Sequence, residues 1–334
     1  VAELRSGIKT GVNEFFYFTD EKAKHWKIEE EFLVPVIKSP RESDSITISP
    51  STLKQKIFYC NLSKDDLRKH RKYGALNYIE WGEQQITSEG QKWSEVSSVS
   101  SRARWYDLGE RSPGRILPFI NSGDIHRVLY NPECVFVDHN LFEICTRIDI
   151  EFGLLCYLNS SLGGLLKETI GRVNLGEGGL KVEGVDWDNI LCPKKGILGK
   201  LTRLGRDNFD ALLNRPIKSA FEEVKMKDRQ KLDNLVLQAL GLDPKKYLKP
   251  IYDGLTELIR ERIELANMRK KVKQIKTQKD VDRLKKQVIE EVLPYGLKKF
   301  PEQFLDKPLK PQDYQNISRT YRKVIQEERS QNQS

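Results

Sequence analysis

The stretch DIEFGLLCYLNSSLGGLLKETI, residues 149–170, decides the fold class. It reads as one long buried helix, rich in Leu, with Ser160, Gly163 and Gly164 as small residues that let a neighbouring element approach. Upstream of it the pattern is different. Short β-rich runs at 15–18, 32–37, 56–60, 115–120, 127–130 and 135–144 are candidate strands separated by turns. One helix interrupts them at 64–72, where the Ser63 hydroxyl and the early acids Asp65 and Asp66 satisfy free amides. Downstream of Pro193 the period becomes helical. Leu232, Leu235, Val236, Ala239 and Leu240 form an apolar stripe closed by Gly241. Asp243-Pro244 then starts a second stripe of Leu248, Ile251, Tyr252, Leu255, Leu258, Ile259 and Ile263, with Pro250 expected to kink it or delay its start. The expected class is α+β: a mixed, β-rich domain over 1–195 followed by a helical region over 196–334.

A chain of 334 residues, 38% hydrophobic, can bury a sizeable core and is long enough for two domains. No apolar run spans a bilayer and no leader with a cleavage site is written, so a cytoplasmic protein without a membrane partner is expected. Val1 opens directly on a folded-looking segment, and an upstream partner is expected. The five cysteines lack the paired spacing of a zinc site and read as buried thiols. His25, His70, His126 and His139 show no ligand spacing either. Net charge is +9, carried unevenly. Residues 1–195 hold 26 Lys and Arg against 28 Asp and Glu, while 196–334 hold 31 against 20. The surplus is densest in 268–286, read as a solvated helix or an arm leaving the core. Such a field favours a polyanion, although charge on helices is also how a plain solvated face looks.

Residues 7–16, Gly-Ile-Lys-Thr-Gly-Val-Asn-Glu-Phe-Phe, place Lys9 and Thr10 between two glycines ahead of an expected strand. The loop either offers backbone amides and a cation to an anion or is a tight turn. It is not a P-loop, whose glycines are spaced further apart and precede a helix. Three blocks in order carry a family resemblance. These are 7–16; then 104–108 (Arg-Trp-Tyr-Asp-Leu), 116–120 (Ile-Leu-Pro-Phe-Ile) and 136–141 (Phe-Val-Asp-His-Asn-Leu); and finally 158–162 leading to 171–181 (Gly-Arg-Val-Asn-Leu-Gly-Glu-Gly-Gly-Leu-Lys). Together they resemble the target-recognition domain of restriction-modification DNA adenine methyltransferases, including fused restriction-methylation enzymes. The segment from Lys227-Asp228-Arg229 to Ala239-Leu240-Gly241-Leu242 resembles the helical region that follows such domains.

The resemblance implies a double-stranded DNA partner, contacted by Lys9, Thr10, Arg102, Arg104, Trp105, Arg127, Asn140, Arg172, Asn174 and Lys181. Cations suit phosphates, an Arg can grip guanine, and Asn140 or Asn174 can pair with adenine. If 104–108 is a strand, one of Trp105 and Tyr106 is core. The family's catalytic motifs, a glycine-rich cofactor loop and an Asn/Asp-Pro-Pro-aromatic segment, are missing; Asn131-Pro132-Glu133 is the nearest approach. No catalytic residue, metal or cofactor is therefore assigned to this chain. S-adenosylmethionine is expected for the catalytic domain of an adenine-specific parent, with or without a fused endonuclease; that catalytic part is expected as an upstream domain or subunit, and a monomer is expected. Rival readings are a nuclease, for which Asp138, Glu143 and Lys167 form only a scattered set, and a protein-interaction scaffold.

Overall fold

A computed structural model describes residues 2–173, 178–206 and 209–274, with the short pieces 282–283 and 286–287; of 270–274 only the backbone course is described. The chain divides into two compact units, Val1–Arg269 and Lys270–Ser334. Of the second, the described residues are the end of a long helix and those two helical pieces.

The first unit opens with β1 (Ala2–Ser6), α1 (Asn13–Phe16), β2 (Tyr17–Phe18), α2 (Asp20–Trp26), β3 (Leu33–Ile37), β4 (Lys56–Phe58), α3 (Lys64–Lys69), α4 (Tyr73–Gly82) and α5 (Ser97–Ser100). The expected strand at 15–18 is half helix. Gly11 takes φ +85°, and the Val12 carbonyl accepts from the amides of Phe15 and Phe16, turning that pair into α1 before the chain extends at Tyr17. A four-residue apolar run does not distinguish strand from helix by period. At α3 the Ser63 hydroxyl accepts from the Asp66 amide at 3.1 Å, as the cap reading requires. The helix stops at Lys69, and Arg71 adopts a left-handed φ of 55° before α4 begins.

Next come β5 (Ile116–Leu117), β6 (Asn121–Ser122), β7 (Leu129–Tyr130), β8 (Phe136–Val137) and β9 (Phe142–Thr146). The run 135–144 is two strands in two sheets, because the Asp138 carboxylate and carbonyl accept from the Asn140 and Leu141 amides and reverse the chain. One sheet runs β2-β4-β3-β8, with β3 and β8 parallel; another runs β1-β9-β5-β7, all antiparallel. Phe15, Phe18, Phe58, Tyr78, Trp93, Trp105 and Tyr106 build an aromatic core under the first sheet.

The deciding stretch is two helices, α6 (Ile148–Asn159) and α7 (Ser161–Ile170). Ser160 leaves helical geometry at ψ 160°, and its hydroxyl accepts from the Gly163 amide at 3.1 Å, so it caps α7 rather than continuing α6. The chain continues through β10 (Arg172–Val173), β11 (Leu180–Lys181), α8 (Gly184–Asp188), α9 (Lys195–Gly205), α10 (Asp210–Asn214), α11 (Ala220–Glu223), α12 (Lys227–Ala239) and α13 (Pro244–Gln274). A third sheet orders β10-β11-β6. The core is continuous across residue 195: Leu198 and Leu201 of α9 and Leu232 and Val236 of α12 share one cluster with Leu154, Leu155 and Leu158 of α6. Gly153 makes that closeness possible, since a Cβ there would lie 2.0 Å from the Leu198 carbonyl oxygen.

Gly241, at φ +77°, closes α12 as expected. Pro250 neither ends α13 nor delays its start at Pro244. Two further expectations change. Among the cysteines only Cys60 and Cys156 are buried, and Cys192 is exposed. Residues 104–108 form turns rather than a strand, and both Trp105 and Tyr106 are buried. No helix among the described residues is long and apolar enough to cross a membrane.

Candidate nucleic-acid interface

The β10-β11-β6 sheet has a register that sorts its side chains. Arg172 pairs with Lys181 and Lys181 with Asn121, so these three share one face; Leu180 and Ser122, directly opposed, occupy the buried face. The outward row is polar and carries two cations. Arg172 binds Glu183 at 3.1 Å and Asp186 at 3.2 Å, and Lys181 binds Glu183 at 2.7 Å. Both cations are exposed, so an anionic ligand can compete with these acids for them.

Beside this row lies a cleft of about 770 Å3, lined by 38–41, 119–125, Arg127, Asn140, Gly178, Gly179, Arg262 and Ile263. Five chain segments meet there. Lys38 follows β3, with its ammonium 4.0 Å over the Tyr17 ring, and Arg41 is exposed in the next turn. Asn121 comes from β6, and Asn140 is exposed on the turn that Asp138 reverses, its amide donating weakly to the Lys38 carbonyl at 3.4 Å. Arg127, only 8% exposed, braces the wall from behind by donating to the carbonyls of Asp44 and Pro40, each at 2.8 Å. Asp124 is the acidic group on the lining.

Under the floor, Lys167 is 3% exposed and donates to the Ser122 hydroxyl at 3.1 Å. Burial pulls its pKa down to about 8 despite the Glu168 carboxylate alongside. His126, buried next to Lys167, is pushed well below its usual value by burial and the nearby cations, and hydrogen-bonds the Leu158 carbonyl.

The residues expected to touch DNA fall into groups. Arg127 and Asn140 line the cleft, and Arg172 and Lys181 stand on the adjoining row. Asn174 lies outside the described residues. The 7–16 loop does not line the cleft, although Gly7 and Ile8 hydrogen-bond the backbone on either side of Asn140. Lys9 is exposed, whereas Thr10 is buried and donates to Asn13 at 2.5 Å. Arg102 donates to the carbonyls of Lys9, Thr10 and Trp105 and stacks over Phe16, so it clamps that loop shut. Arg104 is engaged by the Asn61 carbonyl and Asp107. Trp105 is a core side chain, its ring 4.3 Å from that of Phe15. Sequence reasoning missed Lys38, Arg41 and Asn121, which stand near turns without any motif. It also missed Arg262, whose signal was legible: it falls on the apolar stripe of α13, one turn beyond Ile259.

Asp138, Glu143 and Lys167 belong to separate networks. Asp138 accepts from Tyr17 and Asn140, Glu143 is held by Arg5 at 2.8 Å and Arg111 at 2.9 Å, and Lys167 serves Ser122. Asn131 is 1% exposed and spends both its amide protons on the Gly114 and Val135 carbonyls while its oxygen accepts from the Val135 amide, so it is turned into the core and away from any substrate amino group. The residues at that near-motif therefore do not suit the family's methyl-transfer chemistry.

The profile of the family described as type II methyltransferase M.Eco57I, C-terminal domain, matches residues 1–229. The type II methyltransferase M.AccI of Acinetobacter calcoaceticus is 26% identical over 229 residues, 64% of this chain; the match spans only 38% of that protein's length. Among solved structures, the type IIG restriction endonuclease BpuSI shares 13% identity at a TM-score of 0.53, covering 79% of this chain and 30% of BpuSI. The type IIL restriction-modification enzyme MmeI, solved in complex with DNA, shares 15% at 0.51, covering 79% and 36%. At these identities the structural likeness is one of fold.

Proposed function

The chain belongs to the family of type II methyltransferase M.Eco57I C-terminal domains, and from that premise we propose that it is the target-reading part of a restriction-modification DNA adenine methyltransferase. The observation that carries this reading is the convergence of Lys38, Arg41, Asn121 and Asn140 on one cleft beside the Arg172–Lys181 row. Asn amides and an Arg fork are the groups that discriminate adenine and guanine edges, while the flanking cations suit phosphates. The fold likeness to MmeI, solved on DNA, supports the same partner.

In this reading double-stranded DNA lies along the row and presents base edges to the cleft. Methyl transfer belongs to an upstream domain or subunit that binds S-adenosylmethionine and flips the adenine; this chain supplies position and sequence choice as a monomer in the cytoplasm. The test is fluorescence anisotropy of a labelled duplex at rising salt, with calorimetry against S-adenosylmethionine beside it. The expected result is DNA binding that weakens steeply with salt and no heat from the cofactor. Absence of binding at low salt overturns the DNA assignment. Methyl incorporation by the isolated chain, or metal-dependent cleavage of the duplex, overturns the division of labour.

A further inference from the structure

We infer that Arg262, on α13 and beyond the segment matched by the family profile, is a positioning residue for base selection: it clamps the two glycine-containing loops that form one wall of the cleft. The inference rests on the target-reading function proposed above. Among the described side chains of α13 the buried ones are Ile251, Leu255, Ile259, Arg262 and Ala266, so a guanidinium only 2% exposed stands where the helix period calls for an apolar side chain. Burying that charge is costly unless its hydrogen bonds are met, and they are met in one plane.

Nε and Nη2 grip the two Glu168 oxygens at 3.1 and 3.0 Å, Nη2 also donates to the Gly123 carbonyl at 3.1 Å, and Nη1 donates to the Gly178 carbonyl. A single fork thus ties α13 to α7, to the loop after β6 and to the turn before β11. Neither glycine has a side chain by which it could be held. Their carbonyls are the available handles.

The turn also lies directly on the helix. Gly178 has φ +71°, and a Cβ there would stand 2.8 Å from the Ala266 Cβ. On the other loop, Lys167 holds the Ser122 hydroxyl. Asn121, the base-facing amide on β6, sits two residues from Gly123. Because Glu168 neutralises Arg262, its contribution is geometric. Bidentate base contacts tolerate displacements of only about half an ångström before they weaken.

The experiment uses the full chain. A randomised duplex pool is passed over wild type, Arg262→Lys and Gly178→Ala, and bound fractions are sequenced. Affinities for the enriched duplex and a scrambled one are then compared, with a urea midpoint for each protein. Lys keeps the charge opposite Glu168 but cannot span both carbonyls; Ala at 178 lifts the turn and leaves the ion pair alone. Both variants are expected to hold the scrambled duplex within about twofold of wild type and to lose about tenfold or more in discrimination. Wild-type discrimination in both variants overturns the inference. So does a loss that is equal on both duplexes and tracks the midpoint, which is the mark of a merely structural role. If wild type itself enriches no sequence, the target-reading function fails and the inference falls with it.

Discussion

The double variant Arg172→Ala/Lys181→Ala tests the outward row most directly. In the free protein these cations face Glu183 and Asp186, so the row carries no net charge until a polyanion displaces the acids. The two cations are exposed, with side-chain exposures of 58% for Arg172 and 43% for Lys181, so removing them should leave the urea midpoint nearly in place. Two lost phosphate contacts should flatten the slope of log affinity against log salt by about 1.8, at about 0.9 per phosphate. Across a salt increase from about 50 to 200 mM, that difference closes the gap between variant and wild type by about tenfold. Anisotropy titrations of a mixed-sequence duplex at several salt concentrations read both quantities. Glu183→Gln, which removes a competing charge, should move affinity the other way. An unchanged slope in the double variant, with the midpoint intact, would refute the placement of DNA on this row.

Other outcomes follow from the packing and the charge. Gly153→Ala should lower stability by about 3 kcal/mol in urea denaturation, because a Cβ 2.0 Å from the Leu198 carbonyl outweighs the helix propensity of about 1 kcal/mol that Ala adds; an unchanged midpoint contradicts the close α6–α9 approach. Lys167 has a folded pKa of about 8, below its ordinary 10.5, so its buried charge costs stability fully below pH 8. Between about pH 8 and 10.5 the folded amine sheds its proton first, and wild type should gain about 3 kcal/mol relative to Lys167→Met. A wild-type-minus-variant difference that stays flat over that window shows the amine is not buried as described. Residues 270–334 hold 16 basic against 9 acidic side chains. Ending the chain at Arg269 should therefore weaken DNA binding and flatten its salt slope while sparing sequence preference; loss of preference with an intact slope would reverse the assignment.

How a residue type became a role differed from place to place. Ser63 and Gly241 acted as their sequence positions indicate, because capping depends on neighbours within one turn. Ser160 carried the same kind of signal but stood inside an apolar run, where period outweighed it and hid the break between α6 and α7. Arg102 and Arg104 have the right chemistry for phosphate yet are engaged by carbonyls, in the case of Arg102 those of Lys9 and Thr10 more than ninety residues upstream in the chain. Only the folded chain brings those acceptors within reach.

The order of sequence blocks determined the family and the α+β class, since both rest on local period, turn chemistry and the succession of motifs along the chain. Composition also placed the basic surplus beyond residue 195. Which polar groups face a ligand was decided by tertiary structure alone. Lys38, Asn121, Asn140, Gly178 and Arg262 are far apart in sequence and converge because sheet register and the burial of α13 bring their segments to one cleft. A cation's availability depends on which acceptors packing delivers to it, and that is a property of long-range contacts that no local pattern encodes.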